Sequence, residues 1–251
     1  ANFNATIDYW KFDFKDGLTS EATADLIALM FPAASQTGNC GNAAFASLQA
    51  RFTFDQGVCG RSNILSYRTQ YINGGPVKTD GVDFQANVIF GEVFGGDLTA
   101  GVEGTYLLDY DETPYSLEGI PVANGVIHRA GTYRASVFTG YNRMRGNGYL
   151  NWSIGNHNLR WQTRYVSSTV QIEASPIAIA ANVKGPVKIN EYWQSDLTYK
   201  VELPWETTAT VSVMNVFDAD PSFAIGTQYN YDPGSGNPLG RVVSLGLKKR
   251  F

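Results

Sequence analysis

The residues able to carry chemistry in this chain are few. Its two histidines are His128, in a long connection, and His157, in a short turn. Placed at opposite ends of the expected fold, they cannot build a Ser-His-Asp triad or a two-histidine metal site. Cys40 and Cys59 stand 19 positions apart in one Gly/Asn-rich stretch. A metal pair or redox switch there would need further ligands, and no histidine falls in that stretch. A structural disulfide in a surface loop is the expectation, in an oxidising compartment such as the periplasm or cell surface. The acids Asp109, Asp111 and Glu112, and likewise Asp218, Asp220 and Asp232, have oxygen ligands suited to calcium. Neither group follows a calcium-loop pattern, so solvated carboxylates are the default and no metal is expected. Tyr110, Tyr115, Phe223, Tyr229 and Tyr231 stand in the long connections beside Asn and Asp residues. Aromatic faces with amide partners suit recognition of sugars, chelates or other nutrients, and they equally suit loop packing. The set points to binding or transport rather than to an enzyme, and no cofactor is implied.

The elements that must position these residues are strands. The 251 residues include 26 glycines and are 13% aromatic and only 17% charged, a balance agreeable to β-structure. No stretch approaches the roughly 18 to 20 consecutive apolar residues of a transmembrane helix. A net charge of −4 with scattered basic residues argues against a nucleic-acid partner. Period-two alternation recurs eight times. Phe3, Ala5, Ile7 and Tyr9 oppose Asn2, Asn4, Thr6 and Asp8; Leu98 to Tyr110 opposes Thr99 to Asp109 in the same way. The other segments lie around 82–90, 150–154, 159–165, 193–201, 208–213 and 243–248.

Alternation alone leaves open whether the apolar face meets a core or lipid. The connections favour lipid. Short turns near Gly95-Gly96-Asp97, Gly155 to Asn158 and Leu203 to Glu206 alternate with long connections at about 17 to 63, 111 to 143, 173 to 188 and 218 to 240. Outer-membrane barrels have this asymmetry of short periplasmic turns and long extracellular loops. Aromatics cluster at strand ends, as at Tyr9, Trp10, Phe12 and Phe14, although Tyr192 points to the other face. The polar faces carry Glu103, Arg160, Arg164, Gln194, Asp196 and Lys200, too many large polar groups for a dry core. Within the first long connection, residues 21 to 31 read as a short helix. Ser20 is its N-cap, Pro32 its stop, and Ala22, Leu26, Met30 and Phe31 share one face.

Four motifs carry a resemblance. Ala5-Thr6-Ile7-Asp8-Tyr9-Trp10-Lys11-Phe12-Asp13-Phe14 precedes the first long loop, and Gly81-Val82-Asp83-Phe84 opens a strand. Met214-Asn215-Val216-Phe217-Asp218-Ala219-Asp220-Pro221 closes the penultimate strand, and Tyr231-Asp232-Pro233 leads to the ending Leu245-Gly246-Leu247-Lys248-Lys249-Arg250-Phe251. In this order they resemble the C-terminal part of the barrel of TonB-dependent outer-membrane receptors. Lys249 departs from the aromatic often found two positions before the end.

The resemblance implies an all-β, antiparallel transmembrane β-barrel, of which residues 1–251 are the last eight strands in a total of about 22. The plug domain and TonB-interaction segment fall outside these residues, as a fragment or a divided receptor would have them. Phe251 resembles the signal read by the barrel-assembly machinery. The implied partners are outer-membrane lipid, the remaining strands and plug, the TonB complex and a nutrient ligand of siderophore, vitamin or saccharide class. A self-contained small outer-membrane barrel or adhesin, and a soluble carbohydrate-binding β domain, are the alternatives.

Overall fold

The computed structural model describes residues 1–134, 139–171, 187–225 and 229–250. Phe251 and most of the expected 173 to 188 connection lie outside the described residues. The chain forms two compact units, one of Ala1–Lys11, Thr79–Tyr110 and Arg129–Phe251, the other of Phe12–Lys78 and Asp111–His128.

The first unit is built on eight long strands. They are β1 (Asn2–Phe14), β2 (Val77–Val93), β3 (Gly96–Glu112), β4 (Met144–Ile154), β5 (His157–Val166), β6 (Tyr192–Leu203), β7 (Thr207–Met214) and β8 (Val242–Lys249). Each pairs with its sequence neighbour, so the sheet is a meander with β1 and β8 at its edges. The eight alternating segments of the sequence are these eight strands. The strand expected around 150–154 is longer, starting at Met144, because Gly146 and Gly148 mask the alternation at its beginning.

The register puts the alternation of each strand in phase with the next. Ala100 faces Leu150, Leu150 faces Trp161, Trp161 faces Leu197, Leu197 faces Val213, and Val213 faces Val243. One residue away, Thr99, Asn151, Arg160, Thr198, Ser212 and Ser244 form the matching polar row. One face of six consecutive strands is therefore apolar and the other polar. Among the described residues the apolar face carries no core. Leu150, Trp193 and Leu245 on it are 51%, 56% and 81% exposed, and both clusters of buried apolar residues lie in the connections.

Tight turns and close approaches hold this register. Phe94 and Gly95, between β2 and β3, have φ of 50° and 77°, the primed turn geometry that follows strand twist. On the polar face the Tyr149 ring lies over Gly101, and its hydroxyl donates to Asn87 Oδ1 at 3.0 Å. On the apolar face a Cβ at Gly104 would come 2.6 Å from Phe84 Cζ and 2.8 Å from the Arg145 carbonyl. These aromatics cover backbone that a glycine leaves bare. After β7, fully buried Asn215 closes a turn by exchanging hydrogen bonds of 2.9 Å with the Ala219 backbone in both directions. Asp218 Oδ1 accepts from Arg241 N at 2.7 Å, tying that turn to the start of β8.

The second unit has its own core of Leu26, Met30, Phe31, Leu48, Phe52 and Leu117. Helix α1 (Thr23–Met30) buries Leu26 and Met30 in it. Its N-cap is Ala22 rather than the expected Ser20. Ser20 belongs instead to a short strand, Leu18–Ser20, paired with Tyr71–Asn73, and the next residue, Glu21, is held by Arg51. The Cys40–Cys59 disulfide is formed, with both cysteines packed against the core.

Candidate functional site

The polar face of the sheet carries aligned hydrogen-bonding and charged side chains. Cross-strand pairing aligns Glu103, Asn147, Arg164 and Gln194 in one row across β3 to β6. Asn147 donates to Glu103 at 3.3 Å, and Arg164 pairs with Asp196 at 3.3 Å. The Arg160 guanidinium stands 4.4 Å over the Tyr149 ring, a cation–π contact. Thr105 donates to Asp83 at 2.6 Å. Adjacent strands thus hold one another's polar side chains in defined positions.

At the end of this face that the long connections adjoin, β4, β5 and β6 meet the segment 233–237 around a cavity of about 370 Å³. Arg145, Asn147, Arg164, Tyr192 and Gln194 line the strand side. Asp232, almost fully buried, positions the segment by accepting from Gly234 N at 2.9 Å and Ser235 Oγ at 2.5 Å. Ser235 Oγ also lies 3.2 Å from Asn142 Oδ1. Arg164 and Gln194 were legible as polar-face residues in the sequence. So was the facing of Tyr192, but Arg145 and the 233–237 segment were not legible, although Arg145 shares the parity of Asn147 and Asn151 once β4 is extended to Met144.

The five loop aromatics have separate environments. The Tyr110 ring lies 4.7 Å from that of Tyr141. Phe223 bridges Tyr231 through the backbone, and the Tyr229 and Tyr231 rings are 6.1 Å apart, so these three form one group with Phe223 and Tyr229 well exposed. Tyr115 packs against the core of the second unit, donates to Asp25 at 2.7 Å and accepts from Ala22 N at 3.0 Å. Burial, helped by Asp25, pushes its phenol up to about 12. In the first unit, burial and the nearby Asp232 push that of Tyr133 to about 12 as well.

The second unit is organised by charge. Arg51 and Glu21, 4% and 6% exposed, are paired through both guanidinium Nη atoms, and Arg51 also reaches Glu118 at 3.4 Å and the Arg68 carbonyl at 2.8 Å. The Arg51 hydrogen bonds hold the Glu21 carboxyl below its ordinary range. His128 contacts Asp111 at 2.7 Å, where the short strand Ile127–His128 pairs with the end of β3. His157 lies against the Tyr199 hydroxyl at 2.5 Å beside a short turn. Among the described residues no cluster of three acids, histidines or cysteines could hold a metal ion. Of the acids considered for calcium, Asp111, Asp218 and Asp232 each have the donor partners named above.

No protein-family model and no curated protein matches the sequence. Solved structures do match the fold. The outer membrane transporter YddB from Escherichia coli superposes over 100% of this chain with a TM-score of 0.59 at 12% identity. The fold is that of part of an outer-membrane transporter β-barrel. The apoprotein of the FrpB iron transporter from Neisseria meningitidis matches 99% of the chain, with a TM-score of 0.54 and 15% identity. The Pseudomonas aeruginosa ferripyoverdine receptor, bound to ferripyoverdine, matches 98%, with a TM-score of 0.51 and 14% identity. This chain spans 31%, 29% and 24% of those three proteins respectively.

Proposed function

We propose that the chain is wall and surface loops of a TonB-dependent outer-membrane transporter that takes up a scarce nutrient. The observation that carries this reading is the exposed apolar face running in register across six strands with no core upon it among the described residues. Such a face is stable against lipid, and the polar face behind it then lines a wet lumen. In this reading the eight strands are the last of a barrel of about 22, and further strands pair with the edges β1 and β8. The long connections face the cell exterior, the plug and the TonB complex supply the energised step, and the barrel-assembly machinery inserts the wall. Capture is non-covalent and no catalytic group takes part. Iron chelates are the first ligand class to examine, because FrpB is an iron transporter and the P. aeruginosa receptor holds ferripyoverdine.

Two measurements test the reading. The protein is expected to stay with membranes through a urea wash and to leave with detergent. Release by urea alone overturns the membrane assignment. Deleting the gene is expected to abolish saturable, protonophore-sensitive uptake of one nutrient among iron chelates, cobalamin and saccharides. Unchanged uptake of all three overturns the transport role.

A further inference from the structure

Among the described residues the cavity on the polar face is lined by two guanidinium groups, of Arg145 and Arg164, and by no Asp or Glu. Two nearby acids, Asp196 and Asp232, are already engaged. Asp196 accepts from Gln194 Nε2 at 2.8 Å and Asn215 N at 2.8 Å besides Arg164 at 3.3 Å, and Asp232 is turned into its own segment. Among the described residues Arg145 bonds neutral oxygens, namely Asn142 Oδ1 at 2.7 Å and the Gly140 and Gly234 carbonyls, each at 3.3 Å. A guanidinium has five N–H donors, so both arginines keep donors to spare. Arg145 stands opposite Val166 and Arg164 opposite Asn147, which makes them diagonal neighbours on one face, roughly 7–8 Å apart at their backbones. Side chains of that length converge on a single group across such a gap.

We propose that this cavity binds an oxyanion, a carboxylate or phosphate carried by the captured solute. The inference rests on the transporter reading for the solute alone; the charge argument stands on the cavity. Arg145 is held in place by Asn142 and the 233–237 segment and forms the fixed half of the clamp. Arg164, its side chain 47% exposed and tied by one long contact, is the half that turns toward the ligand. Two charge-assisted contacts in a recess give selectivity for planar or tetrahedral oxyanions over neutral sugars.

Equilibrium dialysis of radiolabelled citrate and of inorganic phosphate against the detergent-solubilised protein, at constant ionic strength, tests this. Saturable binding of at least one probe is expected, and sucrose is not expected to compete. Arg164→Gln and Arg145→Gln should each weaken binding by about tenfold or more. Lys200→Gln, on the same face but outside the cavity, should leave it unchanged. Citrate binding alone identifies a carboxylate ligand, and phosphate binding alone a phosphorylated one. Heat-modified mobility in gels identifies variants that keep the folded barrel, and Arg164→Gln carries the test if Arg145→Gln does not fold. No saturable binding of either probe, or binding that Arg164→Gln leaves intact, overturns the proposal. Membrane retention and uptake would be untouched by that failure.

Discussion

At the scale of single residues, the second unit depends on a buried charge pair. Removing one partner leaves the other desolvated, at a cost of about 3 to 5 kcal/mol. Arg51→Met is therefore expected to lower the unfolding midpoint of that unit, read by limited proteolysis between Phe12 and Lys78 over a temperature series. The double substitution Glu21→Met with Arg51→Met should recover most of the loss. The same pair sets a pH dependence. The carboxyl of Glu21 is lowered in the folded state, so its contribution is whole above the ordinary glutamate value. As pH falls through the lowered folded value, that contribution is lost. Proteolytic protection of this unit should weaken below about pH 4, and in Glu21→Gln that acid step should disappear. Sequence reading placed Glu21 as a helix first-turn residue. Its true partner lies 30 positions away, a separation that local pattern does not encode.

Among the elements, strands were legible and their glycine contacts were not. Gly101, Gly104 and Gly246 look equivalent in the sequence, as small residues inside alternating segments. Their surroundings differ: Gly104 is roofed by Phe84 and backed by the Arg145 carbonyl, whereas a Cβ at Gly246 meets nothing nearer than 3.8 Å. Gly104→Ala should destabilise the sheet by about 1 to 3 kcal/mol through overpacking. Gly246→Ala should be close to neutral. The temperature at which each variant loses its heat-modified gel mobility compares them directly, and equal midpoints would refute the packing account. The helix shows the opposite limit. Its apolar face was visible in Leu26, Met30 and Phe31, but its cap was set by the strand pairing of Ser20 and by the Tyr115 hydroxyl on Ala22 N. The disulfide was legible from spacing and composition. Reducing it should cost the second unit about 3 kcal/mol on the loop-entropy account, seen as faster proteolysis in dithiothreitol with the sheet still protected.

For the whole molecule, the test lies in the two faces. Leu150→Lys puts a charge on the apolar face and is expected to cost about 2 to 4 kcal/mol near the bilayer midplane. Folded protein recovered in membranes should fall sharply. Ser212→Lys, on the polar face, should assemble at the ordinary level, and equal recovery of the two variants would remove the case for lipid contact. The sequence by itself determined the number of strands, their facing and the alternation of short and long links, because side-chain parity and turn chemistry act over a few residues. It also carried the disulfide and the polar character of Arg164 and Gln194. Only the tertiary structure decided that the apolar rows of six strands run in register, that the first long connection has a core of its own, and that Arg145 and Arg164 share one cavity. Those features depend on inter-strand register and on contacts between distant segments, which no local pattern of residues specifies.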